Sequence, residues 1–165
     1  MLKAEKPRER KMVSVYLEEV KNFIRGDNLE GALITLDNAL TEHPFNALLL
    51  SYYGYLETIV NKNYKRGIDL CKTAIEILKE ESREEGFFKH EGFHAVLYLH
   101  LGRTYLAGGI KNSAVKAFKQ GLEGDPKDPY LLNEVRRIGI RRKPFFPFLK
   151  RSNPINKYIG MLIHK

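Results

Sequence analysis

The chain has 165 residues, 43% of them hydrophobic, enough for one domain with a core of ordinary size. Its single cysteine, Cys71, rules out an internal disulfide and a cysteine-rich metal site, and a reducing compartment fits. The formal net charge of +8 is confined to the ends: residues 1–12 carry +3 and residues 136–165 carry +9, which leaves −4 for residues 13–135 and no indication of a basic face on the body of the protein.

Residues 1–12, polar and charged with Pro7, read as a flexible basic arm. They lack the apolar run of a signal peptide, and no later segment approaches the roughly 18 apolar residues of a membrane span. A cytoplasmic protein is the expectation. From Val13 to Asn46 a first helix pair is predicted, with Tyr16, Val20 and Phe23 on the packing side of one helix and Ala32, Leu36, Ala39 and Leu40 on the other. Gly26-Asp27-Asn28 supplies the turn and Pro44 ends the pair.

A second pair covers residues 47–81, with Tyr53-Gly54 on its first helix and Gly67, Cys71, Ala74 and Ile75 on its second. An extra residue is placed in its turn near Asn61-Lys62-Asn63. No proline closes its second helix, so either that helix is longer than its counterparts or a structured loop follows it. Glu76, Glu80, Glu81, Glu84 and Glu85 read as a solvated helix surface, and Cys71 as a buried, inert thiol.

The third pair, residues 95–128, is the most regular. Tyr98, Leu101, Gly102 and Tyr105 form an aromatic-x2-Leu-Gly-x2-Tyr pattern, and Ala114, Phe118 and Pro126 an Ala-x3-Phe…Pro pattern, separated by the turn at Gly108-Gly109. Gly102 and Ala114 are expected to face one another where the two helices cross, with the aromatic residues filling the volume beside that crossing. Leu131, Leu132, Val135, Ile138 and Ile140 then suit a capping helix over residues 130–142. Beyond it, residues 144–165 form a basic, Pro- and Phe-rich tail whose aromatics are expected to dock on the array.

The spacing of these large and small residues, recurring at a period of roughly 34, resembles the tetratricopeptide repeat (TPR). The resemblance covers residues 13–128, strongly in the third pair, fairly in the second and weakly in the first. It implies an all-α array of about three helical hairpins with a capping helix. It also implies a non-enzymatic module that takes a protein or peptide segment in a concave groove lined by the first helix of each repeat. Carried onto this chain, the groove would present Leu17, Lys21 and Arg25 from the first repeat. The second would add Leu48, Ser51, Tyr52, Tyr55 and Thr58, and the third Val96, Leu99, His100, Arg103 and Leu106. At the sites where chaperone-binding members of the family clamp a C-terminal carboxylate, this sequence has Leu17, Lys21, Tyr52, Val96 and His100. Only Lys21 could donate with the required charge, so no chaperone C-terminal peptide is expected as a partner.

His90-Glu91-Gly92-Phe93-His94 matches HExxH, which on a helix places two imidazoles to bind zinc with the glutamate as base. Gly92 inside the motif, the absence of a third ligand and the lack of a strand to hold substrate argue against a metal site, and no metal or cofactor is expected. Phosphate-binding loops and nucleophile elbows are absent. A second reading is nucleic-acid or anionic-surface binding through Arg141, Arg142, Lys143, Lys150 and Arg151, beside Phe145, Phe146, Phe148 and Tyr158.

Overall fold

The computed structural model describes residues 6–85 and 92–139, which form seven helices. They are α1 (Lys6–Arg25), α2 (Leu29–Glu42), α3 (Ala47–Val60), α4 (Tyr64–Glu85), α5 (Phe93–Ala107), α6 (Lys111–Gly124) and α7 (Pro129–Ile138). Among the described residues no helix is long and apolar enough to cross a membrane. The tail 144–165 and the cations Arg141, Arg142, Lys143, Lys150 and Arg151 lie outside the described residues.

Local chemistry sets the boundaries. Asn28 and Asn46 cap α2 and α3, their side chains accepting from the Gly31 and Leu49 backbone N–H groups at 2.9 and 3.1 Å. Asp128 does the same for α7, accepting from Leu131 N–H at 2.7 Å ahead of Pro129 in the first turn. The three turns within the helix pairs, residues 26–28, 61–63 and 108–110, have one feature in common. Their middle residues, Asp27, Lys62 and Gly109, all sit in the left-handed region, at φ 57°, 58° and 76°.

Three cores follow one another along the array. The first joins α1 to α3 through Val20, Leu36, Leu49 and Leu56. The next joins α3 to α6 through Leu50, Ile75, Leu97 and Leu101, and the last joins α5 to α7 through Leu99, Phe118 and Leu131. Leu40 packs against both the first and the second, and Tyr105 against both the second and the third. Each helix pair thus buries its apolar face only by stacking on the next.

Four expectations are corrected. The first helix starts at Lys6, well inside the stretch 1–12 read as an arm. The nearest side chain to Gly102 is Phe118, whose ring occupies the place a Cβ would take, and not Ala114. In the second repeat the close crossing is Gly54 on Gly67, whose carbonyl oxygen lies 2.8 Å from where a Cβ on Gly54 would stand. The extra residue of that repeat is not in its turn, which has three residues like the others; it lengthens α3, with Gly54 seven positions before the turn where Gly102 is six before its own. Finally, the capping helix spans Pro129–Ile138 and stops at Gly139, φ 57°, short of residue 142.

Of the two continuations offered for the second repeat, the longer helix is the one present: α4 has 22 residues against 14 in α2 and α6. Glu76, Glu80 and Glu81 are exposed on it, as expected of a solvated surface.

Candidate functional site

The first helices of the successive pairs, α1, α3 and α5, together with α7, bring a row of aromatic and charged side chains together. Its centre is His100 on α5. The ring Nδ1 lies 2.9 Å from Ser51 Oγ on α3, Tyr55 stacks on it at 5.2 Å with planes 3° apart, and Tyr52 meets it edge-on at 4.4 Å. Burial pushes its pKa down to about 3, the charge of Arg103 adding to the effect, so the imidazole is neutral at physiological pH. Packed between two tyrosines, it sets their ring positions and offers no charge to a ligand.

Arg103 lies one turn further along α5. Its guanidinium is 5.9 Å from the Tyr55 ring centroid, and its Nε donates to Glu134 Oε1 of α7 at 2.8 Å. Glu134 is 2% exposed and also accepts from Arg137 Nη1, at 3.2 Å to Oε2. Tyr52 lies within the electrostatic reach of both ends of the row. Burial raises its pKa first, Tyr130 of α7 and Glu18 of α1 act in the same direction, and Arg103 opposes them.

The structure sorts the expected groove residues into two groups. Tyr52, Tyr55, Lys21 and Arg103 are half-buried and Arg25 is exposed, so these five reach a surface. Ser51, Thr58, Leu99 and His100 are buried, at 0%, 0%, 7% and 5% exposure, and serve helix packing instead. Thr58 is buried against Gly67 of α4, while the burial of Ser51 and His100 follows from the close approach of α3 to α5, and that of Leu99 from the core that α5 forms with α6 and α7. The three cations named for the groove are also already engaged. Arg25 and Lys21 approach Glu18 at 3.3 and 3.9 Å, and Arg103 holds Glu134. Glu134 was missed by sequence reasoning. An acidic residue at the i−1 position to an otherwise apolar helix stripe at Leu131, Val135 and Ile138 was the available signal.

Cys71 is fully buried, its pKa pushed up to about 12 by burial, with Sγ 3.6 Å from the Ser51 carbonyl oxygen and 3.7 Å from Thr104 Oγ1. It has the setting of an inert thiol. Within the HExxH stretch, His90 and Glu91 lie outside the described residues. Gly92 has φ 97° and α5 begins only at Phe93, so the helix carrying His94 does not reach back to His90. His94 Nδ1 is buried with no hydrogen bond of good geometry among the described residues, and burial lowers its pKa, an effect that the nearby Gly121 backbone opposes. No group of three His, Cys, Asp or Glu side chains placed to hold a metal occurs among the described residues.

No family model and no curated protein matches the chain. Solved structures do. The first TPR domain of human RPAP3 superimposes with a TM-score of 0.58 at 17% identity, covering 77% of this chain and 89% of that one. The chain has a TPR fold. The TPR domain of Arabidopsis OM64 gives a TM-score of 0.58 at 14% identity over 79% of this chain and 97% of that one. The second TPR domain of human RPAP3, in complex with the HSP70 peptide SGPTIEEVD, gives 0.56 at 17% identity with the same shares, 79% and 97%. The row therefore lies on the first helices of a TPR array, α1, α3 and α5, and on the capping helix α7.

Proposed function

We propose that the protein is a non-enzymatic interaction module, and that the row formed by Tyr52, Tyr55 and Arg103 over the neutral His100 receives a segment of a protein partner. The observation that carries this is the junction of α3, α5 and the capping helix α7 by polar and aromatic groups, where simple stacking would be served by aliphatic ones. Tyrosines with fixed rings supply contact area at low entropic cost, which is the usual chemistry of a peptide-binding hot spot.

The segment is apolar or aromatic with an acidic residue or two, and it is bound along its length and not by a free C-terminus. Arg103 already holds Glu134, and Lys21 and Arg25 both approach Glu18, so each of these cations has a carboxylate beside it that a terminal carboxylate would have to displace. Solved neighbours do take such peptides, the second TPR domain of human RPAP3 among them, and the distinction is open to direct test. Titrating the chain with SGPTIEEVD in free-acid and C-terminally amidated forms should give no difference between them. A marked loss on amidation would show a carboxylate clamp.

The groove itself is tested by affinity capture from the source cell. The captured protein's binding segment, mapped on a peptide array, should be internal, with binding insensitive to salt and reduced about tenfold or more by Tyr52→Ala. Capture that ignores Tyr52→Ala and Tyr55→Ala but falls steeply with salt would favour anion binding through the basic C-terminal residues instead.

A further inference from the structure

The edge of α5 opposite His100 and Arg103 forms the floor of a second feature. Tyr98, Leu101 and Tyr105 lie at the bottom of a shallow cleft of about 280 Å³, flanked by α4 on one side and α6 on the other. Its rims are cationic. Lys72 and Lys79 stand two turns apart on α4, and Lys116 faces them from α6. All three are exposed, and among the described residues none has a carboxylate at ion-pair distance. In the row over His100, by contrast, Lys21, Arg25 and Arg103 each have a carboxylate at ion-pair distance.

We propose that this cleft is a second docking site, for a protein segment that sets an aliphatic or aromatic side chain on the floor and acidic side chains against the lysines. Three ammonium groups against the single rim carboxylate of Glu76 give the complementary charge. The chain's own C-terminal region is a poor occupant, because residues 136–165 contain nine Lys/Arg and no acid. A nucleic acid fits less well than a peptide. Glu76 sits between Lys72 and Lys79 on the rim, where a continuous phosphate backbone would meet it, and Tyr98, only 5% exposed, offers no open ring for a base to stack on.

The test uses the full chain and a random peptide library, selected on the wild type and counter-selected on the Lys72→Glu/Lys116→Glu variant. Both lysines are exposed, so the variant should keep the wild-type melting temperature. Recovered peptides should carry acidic residues around an apolar one. Measured by fluorescence anisotropy, their binding should weaken about tenfold or more in the double variant and stay unchanged in Tyr52→Ala, which separates this cleft from the row over His100. The proposal is overturned if no sequence is enriched, if the enriched peptides lack acidic residues, or if their binding ignores the charge reversal. It is equally overturned if a poly-dT oligonucleotide binds more tightly than any of them and is lost in the same variant.

Discussion

His100 is held neutral by its surroundings, and that couples the stability of the protein to pH. Its folded-state pKa of about 3 lies below the ordinary value of 6.5, so between those limits the unfolded chain binds a proton that the folded protein refuses. Stability is therefore greatest above pH 6.5 and falls as the pH drops toward 3. For this one group the loss between pH 7 and pH 5 is about 2 kcal/mol. Urea unfolding at the two pH values should show it, and His100→Asn should flatten the difference; an equal slope in the variant would place the pH dependence elsewhere. Glu134 makes the second residue-scale prediction. Replacing it by glutamine leaves Arg103 and Arg137 facing a neutral group, at a cost of about 1–3 kcal/mol given that both arginines keep some contact with water. Arg103 is then free to meet a ligand, and sensitivity of SGPTIEEVD binding to C-terminal amidation should appear where the wild type has none.

At the scale of the helix, the Gly102 crossing is the tightest constraint in the third repeat. The Phe118 ring fills the space a Cβ would need, and Phe118 is itself fully buried, so neither partner can withdraw without opening a void. Gly102→Ala should destabilise the protein by about 1–3 kcal/mol despite the gain in helix propensity, which for Gly to Ala is about 1 kcal/mol. A chemical denaturation curve decides it: an unchanged midpoint would mean that Phe118 rotates away at little cost. That Gly102 belongs to a close crossing was legible in the Leu-Gly-x2-Tyr spacing, because only a small residue admits a second helix there. Its partner was not legible, since Ala114 and Phe118 lie four residues apart on one helical face and the offset of two crossing helices decides between them. The added residue of the second repeat was countable from Gly54 to Gly67, but a count cannot say whether it lengthens a helix or a turn.

For the molecule as a whole, the three cores make stability graded along the array. The second core spans four helices, α3 to α6, with a core on either side of it, whereas the first, formed by α1 to α3, has a neighbour on one side only. Repeat arrays open where the interface terms are weakest. Amide hydrogen exchange should accordingly be faster in α1 and α2 than in α3 to α6, and uniform exchange across these helices would show that the array unfolds only as a unit. Val20 stands, fully buried, where the third repeat has Gly102, so the first repeat lacks the small residue that admits a close crossing there.

The sequence by itself determined the helix pairs, the turns at Gly26, Asn61 and Gly108, the packing residues Tyr16, Val20, Leu36, Cys71 and Ile75, and the burial of Cys71 as an inert thiol. These are matters of local period and residue size, which the backbone reads within one or two turns. Tertiary structure alone decided that Arg103 is paired. Lys21 and Arg25 meet Glu18 three and seven positions back on their own helix, which spacing along one helix already allows, whereas Arg103 meets Glu134 on another helix. The reason is that an ion pair between helices depends on a separation in space that carries no trace in sequence distance: Arg103 and Glu134 are 31 positions apart and 2.8 Å in contact.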